Sequence, residues 1–152
     1  TPLYSSAASD VYKRQGVHAI RYLQEHYAEL PDTTYLDGGT LSFTLAGMIE
    51  DNEQLIVIDA TELKAEAGTV RMFVDADMDD FLGKHRKLSV HEVGLLDLMS
   101  IARLAQHYPK RRALIGIQPA SVDWGEIPTP AVNEAIPAVC KQTIELIEQW
   151  RT

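Results

Sequence analysis

Several absences narrow the possibilities before any motif is considered. The chain has one cysteine, Cys140, so an intramolecular disulfide is excluded and a reducing compartment suits it. Cys140 falls in an apolar helical stretch and reads as a buried structural thiol. No apolar run approaches the ~20 residues of a membrane span, so membrane insertion is not expected. No apolar signal segment opens the chain, and a cytoplasmic location is expected. Lysine and arginine number 14 against 22 aspartates and glutamates, a formal net charge of −8, and the basic residues form no stripe. A nucleic-acid backbone is therefore not an expected partner. The GxSxG elbow, the HExxH zinc helix, the P-loop and GxGxxG are all missing.

What remains is an ordinary soluble composition. Apolar residues make up 45% of 152 residues and charged residues 24%, enough for one domain with a real core. Gly16–Leu30 places Val17, Ile20, Leu23 and Tyr27 at helical spacing, and Pro31 ends the run. Thr33–Asp37 reads as a strand, Gly38-Gly39 as a sharp turn and Leu41–Ile49 as a helix. Leu55–Asp59 (LIVID) is a continuous apolar run, the pattern of a parallel strand buried on both faces. Thr69–Val74 resumes strand character, and Asp75–Gly83 holds a turn and a short helix. Ser89-Val90-His91-Glu92 has the form of a capping box and opens a helix that runs to about His107. Ala113–Ile117 is a further buried strand, Gln118–Pro130 a long loop and Ala131–Trp150 a closing helix, bent near Pro137. Strands alternating with helices predict a three-layer α/β domain with a mostly parallel sheet flanked by helices.

The first fifteen residues differ in character from the rest. Ser5–Gln15 (SSAASDVYKRQ) resembles a translated sequencing-library adapter, with Thr1–Tyr4 as further foreign sequence upstream. Residues 1–15 are therefore expected to be a disordered foreign segment, and residues 16–152 a single domain incomplete at its N-terminus. An α/β unit normally begins on a strand that feeds its first helix. Here the domain begins on the helix, so the first strand is expected to be missing.

Asp37 and Asp59 each end a predicted parallel strand, on the edge where open α/β sheets bind ligands. Asp59 follows an apolar run with little polar company, so its carboxylate must be hydrogen-bonded, paired or metal-bound. The plain alternative is a helix-cap or turn aspartate. His91 falls in the first turn of its helix, where the positive helix end favours neutral imidazole, the metal-binding form. The plain alternative there is an exposed polar residue. Two such groups are a weak metal signal, since an open site usually has three protein ligands. His18, His26, His85 and His107 read as surface or packing residues. Trp124, in a loop rich in turn formers, reads as a packing anchor or an interface residue.

Taken in order, these segments resemble the nickel–iron hydrogenase maturation proteases. The resemblance is carried by LDGGT at Leu36–Thr40, VIDA at Val57–Ala60 with AGT at Ala67–Thr69, and SVHEVGLLDLM at Ser89–Met99. It continues through ALIGIQP at Ala113–Pro119 and VDWGEIPTPAV at Val122–Val132, and is closest to the branch serving membrane-bound uptake hydrogenases. It implies a phosphorylase/hydrolase-like α/β fold and an aspartic-type, nickel-dependent endopeptidase. Such an enzyme removes a C-terminal extension from the hydrogenase large-subunit precursor after nickel insertion. Nickel is carried by that substrate and recognised through a glutamate, an aspartate and a histidine. Asp59 matches the aspartate and His91 the histidine. Asp37, Gly38, Gly39 and Thr40 match a loop near the cleft, with Asp37 and Asp59 as candidate catalytic groups and Gly38, Gly39 and Thr40 as substrate-binding positions. The glutamate belongs after the first strand and has no match in residues 1–15, so this chain is expected to be inactive or nearly so. The rival readings are a non-catalytic α/β module that binds a nickel-loaded subunit or small ligand, and a metal-dependent hydrolase with another substrate.

Overall fold

The computed structural model describes residues 2–5, 15–26, 33–37, 43–84, 95–118 and 130–151. In chain order these form β1 (Pro2–Ser5), α1 (Gln15–His26), β2 (Thr34–Asp37), α2 (Phe43–Glu50) and β3 (Gln54–Ala60). Next come β4 (Val70–Val74), α3 (Ala76–Lys84), α4 (Leu95–Leu104), β5 (Arg111–Ile117) and α5 (Pro130–Trp150). The five strands make one sheet in the order β2-β1-β3-β5-β4. The β1–β2, β1–β3 and β3–β5 ladders are parallel and the β4–β5 ladder is antiparallel. The mostly parallel sheet read from the sequence is therefore what the chain builds, with an antiparallel strand at one edge.

Side-chain alternation along the strands divides the core into two layers. On one face Ile56 and Ile58 of β3 and Ala113, Ile115 and Ile117 of β5 pack against Leu23 of α1 and Ile136, Val139, Cys140 and Ile147 of α5. On the other face Leu55, Val57 and Leu114 meet Ala46 and Ile49 of α2, Met78 of α3, and Leu95, Leu98, Met99 and Ala102 of α4. Burying a Leu, Ile or Met side chain contributes roughly 1.5–3 kcal/mol. A helix layer on each face thus stabilises β3 and β5 far more than strand propensity could. Within α5, Thr143 is fully buried and its hydroxyl donates to the Val139 carbonyl at 2.8 Å, so it enters the core with its polar group satisfied. Pro137 of the same helix lies on the exposed side, where water can take up the carbonyl its ring leaves without a donor.

Two expectations are corrected. The first strand is not missing: Pro2–Ser5 fills its place between β2 and β3, with Leu3 in register with Tyr35 on one side and Ile56 on the other. Strand pairing is a backbone interaction, and a slot flanked by two strands offers donors and acceptors on both sides to any extended segment. Pro2 is tolerated because it stands first in the strand. The segment expected to be disordered thus contributes a central strand, and α1 starts at Gln15, one residue before the expected boundary. The second correction concerns the end of α4, which stops at Leu104 and not near His107. Gln106 takes φ 62°, and its N–H and that of His107 donate to the carbonyls of Arg103 and Ala102 at 3.1 and 3.0 Å. This is a Schellman stop with glutamine at the left-handed position usually held by glycine. The Ser89 capping box and the Trp124 loop lie outside the described residues.

The N-terminal edge of β5 is clamped by charge. The Asp79 carboxylate of α3 accepts from Arg112 Nε at 2.9 Å, from Arg112 Nη2 and from the Tyr108 hydroxyl, with Arg103 at 3.4 Å. Both guanidinium groups lie over the Tyr108 ring, at 4.6 Å for Arg103 and 4.4 Å for Arg112. Burial raises the Asp79 pKa, but hydrogen bonds from Arg112 and Tyr108 and the two arginine charges outweigh it, and the carboxyl is held below its ordinary value. Asp75 supplies the turn into α3 with φ 52°, its carboxylate accepting the Arg112 N–H at 3.0 Å while its own N–H donates to the Arg112 carbonyl at 2.7 Å.

Candidate functional site

The strand order reverses between β1 and β3. From β1 the chain moves outward to β2, then returns across β1 to place β3 on its other side. The helices do likewise, with α1 on one face and α2 on the other. At such a switch point the connections leave the carboxyl ends of the two strands in opposite directions, opening a crevice suited to a ligand. Asp59 stands at this edge, next to last in β3. Beyond β3 the chain passes through a loop into β4 with no helix between them, so the helix-cap reading of Asp59 is excluded.

Asp59 lies in register with Gly116 of β5, and Gly116 with Arg71 of β4, so the three residues form one row across the sheet. The row continues the face packed by α2, α3 and α4, one step beyond Leu114 and Val57. Asp59 is half-buried, and its Oδ1 atom is fully so. Arg71 at the far end of the row is exposed. The missing side chain at Gly116 has an occupant. A Cβ built there would lie 2.8 Å from Thr61 Cβ and 2.9 Å from Thr61 Oγ1. Thr61 thus folds back beside Asp59, its hydroxyl donating to the Asp59 carbonyl at 3.2 Å and its N–H to the Ile117 carbonyl at 2.9 Å.

The other candidates are distributed as follows. Asp37 ends β2 in the row of Ser5 and Ile58, one step short of the Asp59 row and two strands away, roughly 10 Å across the sheet. The ladder therefore does not stack the two aspartates as a cross-strand pair. Gly38, Gly39, Thr40 and His91 lie outside the described residues. Topology places the start of α4 near the site: the helix packs on the Asp59 face, and its last turn leads by a short link into the beginning of β5. α4 consequently runs against the strands, with Leu95 toward their carboxyl edge. Among the described residues, no group of three His, Cys, Asp or Glu side chains converges to hold a metal ion. His26 is exposed and stacks on Tyr22 with ring centroids 4.0 Å apart, and His107 is exposed, in keeping with surface roles for both.

Thr61, Gly116 and Gln118 were not singled out in the sequence. A glycine inside an apolar strand can mark close approach by a neighbour, and Gly116 in ALIGI was that signal. Nothing local pointed to Gln118, whose side-chain partners Leu63 and Glu62 lie 55 and 56 positions earlier in the chain.

An open, mostly parallel sheet with an acidic residue beside its switch point defines a small α/β domain of the class that binds ligands outside the carboxyl edge of its strands. The sequence model of the HycI hydrogenase maturation proteases matches residues 17–146. The hydrogenase expression/formation protein HupD of Rhizobium leguminosarum bv. viciae is 34% identical over 136 residues, covering 89% of this chain and 67% of that protein. The hydrogenase 2 maturation protease of Escherichia coli K12 is 31% identical over 136 residues, covering 88% of this chain and 81% of its own. The solved structure of the hydrogenase maturating endopeptidase HybD from E. coli superposes with a TM-score of 0.84 at 27% identity, over 97% of this chain and 91% of that one. The chain belongs to the hydrogenase maturation protease family.

Proposed function

We propose that this protein is the endopeptidase that trims the C-terminal extension from a nickel–iron hydrogenase large-subunit precursor, with substrate-borne nickel as the recognition signal. The observation that carries this reading is the place of Asp59, on the carboxyl edge of β3 beside the switch point, in a chain of the hydrogenase maturation protease family. An aspartate oxygen and a histidine nitrogen are suitable donors for nickel. In this reading Asp59 and His91 meet the nickel of the bound precursor, and Gly38, Gly39 and Thr40 line the path of the extension. Asp37 and Asp59 are the carboxylates available to activate water. A group that reads a metal must be held in one place, and the Thr61–Gly116 contact gives Asp59 that fixity. No described helix is long and apolar enough to cross a membrane, and the reading places the work in the cytoplasm.

The third nickel-reading group, a glutamate after the first strand, has no counterpart in residues 6–14, where Asp10 is the one carboxylate. The reading therefore includes weak or absent cleavage by this chain. With β1 in place, the ground for that is the lost ligand and not a lost strand.

The test is the intact mass of a large-subunit precursor incubated with the protein, with and without prior nickel loading. A second form of the protein carries a family-like strand and glutamate loop in place of residues 1–15. The expected result is loss of the extension only with the second form and only after nickel loading. Equal cleavage by both forms would refute the account of the missing glutamate. Cleavage by neither, with binding retained, would favour a non-catalytic module that recognises the loaded subunit.

A further inference from the structure

We infer that Gln118 is a positioning residue for Asp59, acting through the loop that leaves β3; the inference rests on the reading of Asp59 as a nickel-recognising group. Gln118 is one residue beyond β5 and only 6% exposed. Its side-chain amide reaches across to the loop between β3 and β4. Oε1 accepts the Leu63 N–H at 2.6 Å, and Nε2 donates to Glu62 Oε2 at 3.2 Å. Its backbone holds the other end of the same loop, accepting the Gly68 N–H at 2.9 Å and donating to the Thr69 carbonyl at 2.8 Å. One residue thus fastens the loop at both ends.

The loop has little freedom left. Glu62 Oε1 accepts the Lys64 N–H at 2.8 Å, fixing the turn in which Lys64 takes φ 54°. Leu63 is driven into the interior, 5% exposed. The first residue of the loop is Thr61, which fills the space above Gly116 and bonds to the Asp59 carbonyl. A shift of the loop is therefore transmitted through Thr61 to the backbone of Asp59. A buried amide suits this task because its donor and its acceptor are both engaged, and each has a different partner. A glutamate of the same shape would keep the acceptor, lose the donor and set a second carboxylate against Glu62.

The experiment measures the affinity of the protein for nickel-loaded and nickel-free large-subunit precursor, a readout that does not require cleavage. Gln118→Glu is expected to lower affinity for the loaded precursor about tenfold, the usual scale for groups that orient a metal-binding side chain. Affinity for the nickel-free precursor is expected to stay unchanged. The swapped pair Gln118→Glu/Glu62→Gln re-creates all three hydrogen bonds, with donor and acceptor exchanged only in the bond between positions 62 and 118, and should restore the loaded affinity to within about threefold. Gln118→Asn keeps the amide but falls one methylene short; it should reproduce the loss and covers the case in which Gln118→Glu does not fold. Equal loss for both forms of precursor would mean a merely structural role and would overturn the inference. So would an unchanged Gln118→Glu, or a swap that fails to restore. Asp59→Asn separates the two levels. If it leaves the nickel-dependent affinity intact, the reading of Asp59 has failed and the inference with it. If it abolishes that affinity while the Gln118 variants do nothing, the inference alone has failed.

Discussion

Asp59 and Gly116 face each other across β3 and β5, and the empty side chain of the glycine is the space into which Thr61 folds beside the aspartate. One missing Cβ thereby sets the course of the backbone that leaves the site.

Gly116→Ala tests this relationship directly. The new methyl would lie 2.8 Å from Thr61 Cβ, closer than side chains tolerate, and β5 is paired on both sides and cannot yield. A loss of about 1–3 kcal/mol is expected, read from urea unfolding. The double variant Gly116→Ala/Thr61→Gly should be more stable than Gly116→Ala alone. If it is less stable, the clash is not the cause.

Leu3→Pro tests the central strand. Leu3 sits in ladders on both sides, and proline would remove its N–H from a position where the sheet has no open edge. The expected loss is about 2 kcal/mol or more, a fall of roughly 5 °C or more in the thermal midpoint. An unchanged midpoint would show that residues 2–5 add nothing to the fold.

Asp79→Asn tests the charged clamp at the opposite edge. The change leaves Arg112 without its carboxylate, and a loss of about 2–3 kcal/mol at neutral pH is expected from chemical denaturation. The pH dependence comes from the depressed pKa of Asp79. The unfolded chain takes up the proton first, so the stabilisation is complete above the ordinary value of 3.8 and is lost as pH falls through the lower folded value. The gap between wild type and variant should be constant at neutral pH and close only in strong acid. A gap that closes near pH 6 would point to another group.

Cys140 should be inert in the native protein. It is 1% exposed, and burial pushes its thiol up to about 12. A thiol-specific disulfide reagent at pH 8 is expected to label it only after denaturation. Fast labelling without unfolding would contradict the packing of α5 against the sheet.

The apolar runs at Leu55–Asp59 and Ala113–Ile117 announced the two core strands, because burial on both faces removes polar residues from such segments. The layered α/β class was legible in their alternation with helical patterns. Strand direction was less so: Val70–Val74 reads as a strand, but nothing in so short a run says that it lies antiparallel at an edge. β1 was missed for a different reason, since residues that carry no domain-like pattern can still supply backbone to a ladder. Asp59 stood out because a carboxylate after four buried apolar residues is expensive unless it has a task or a partner. Its setting did not stand out, since Gln118 and Leu63 are brought together only by the fold. The Asp79–Arg112 pair was invisible for the same reason. Gly38-Gly39 reads as a turn and His91 as a candidate metal ligand from the residues themselves, whereas a role at the cleft for Gly38, Gly39 and Thr40 comes only from the family resemblance; all four lie outside the described residues.

The sheet order also governs how the protein is made. β5 belongs between β3 and β4, yet it is synthesised after both. At roughly 5–20 residues per second, the ribosome needs a few seconds to travel from Val74 to Arg111. Throughout that interval β4 has no ladder to join, and the first cover within its reach is α3, whose Phe81 stacks on Phe73 with centroids 4.1 Å apart. The nascent chain therefore carries an orphan strand shielded by one short helix, and the arrival of β5 ends its exposure on both flanks of the gap at once.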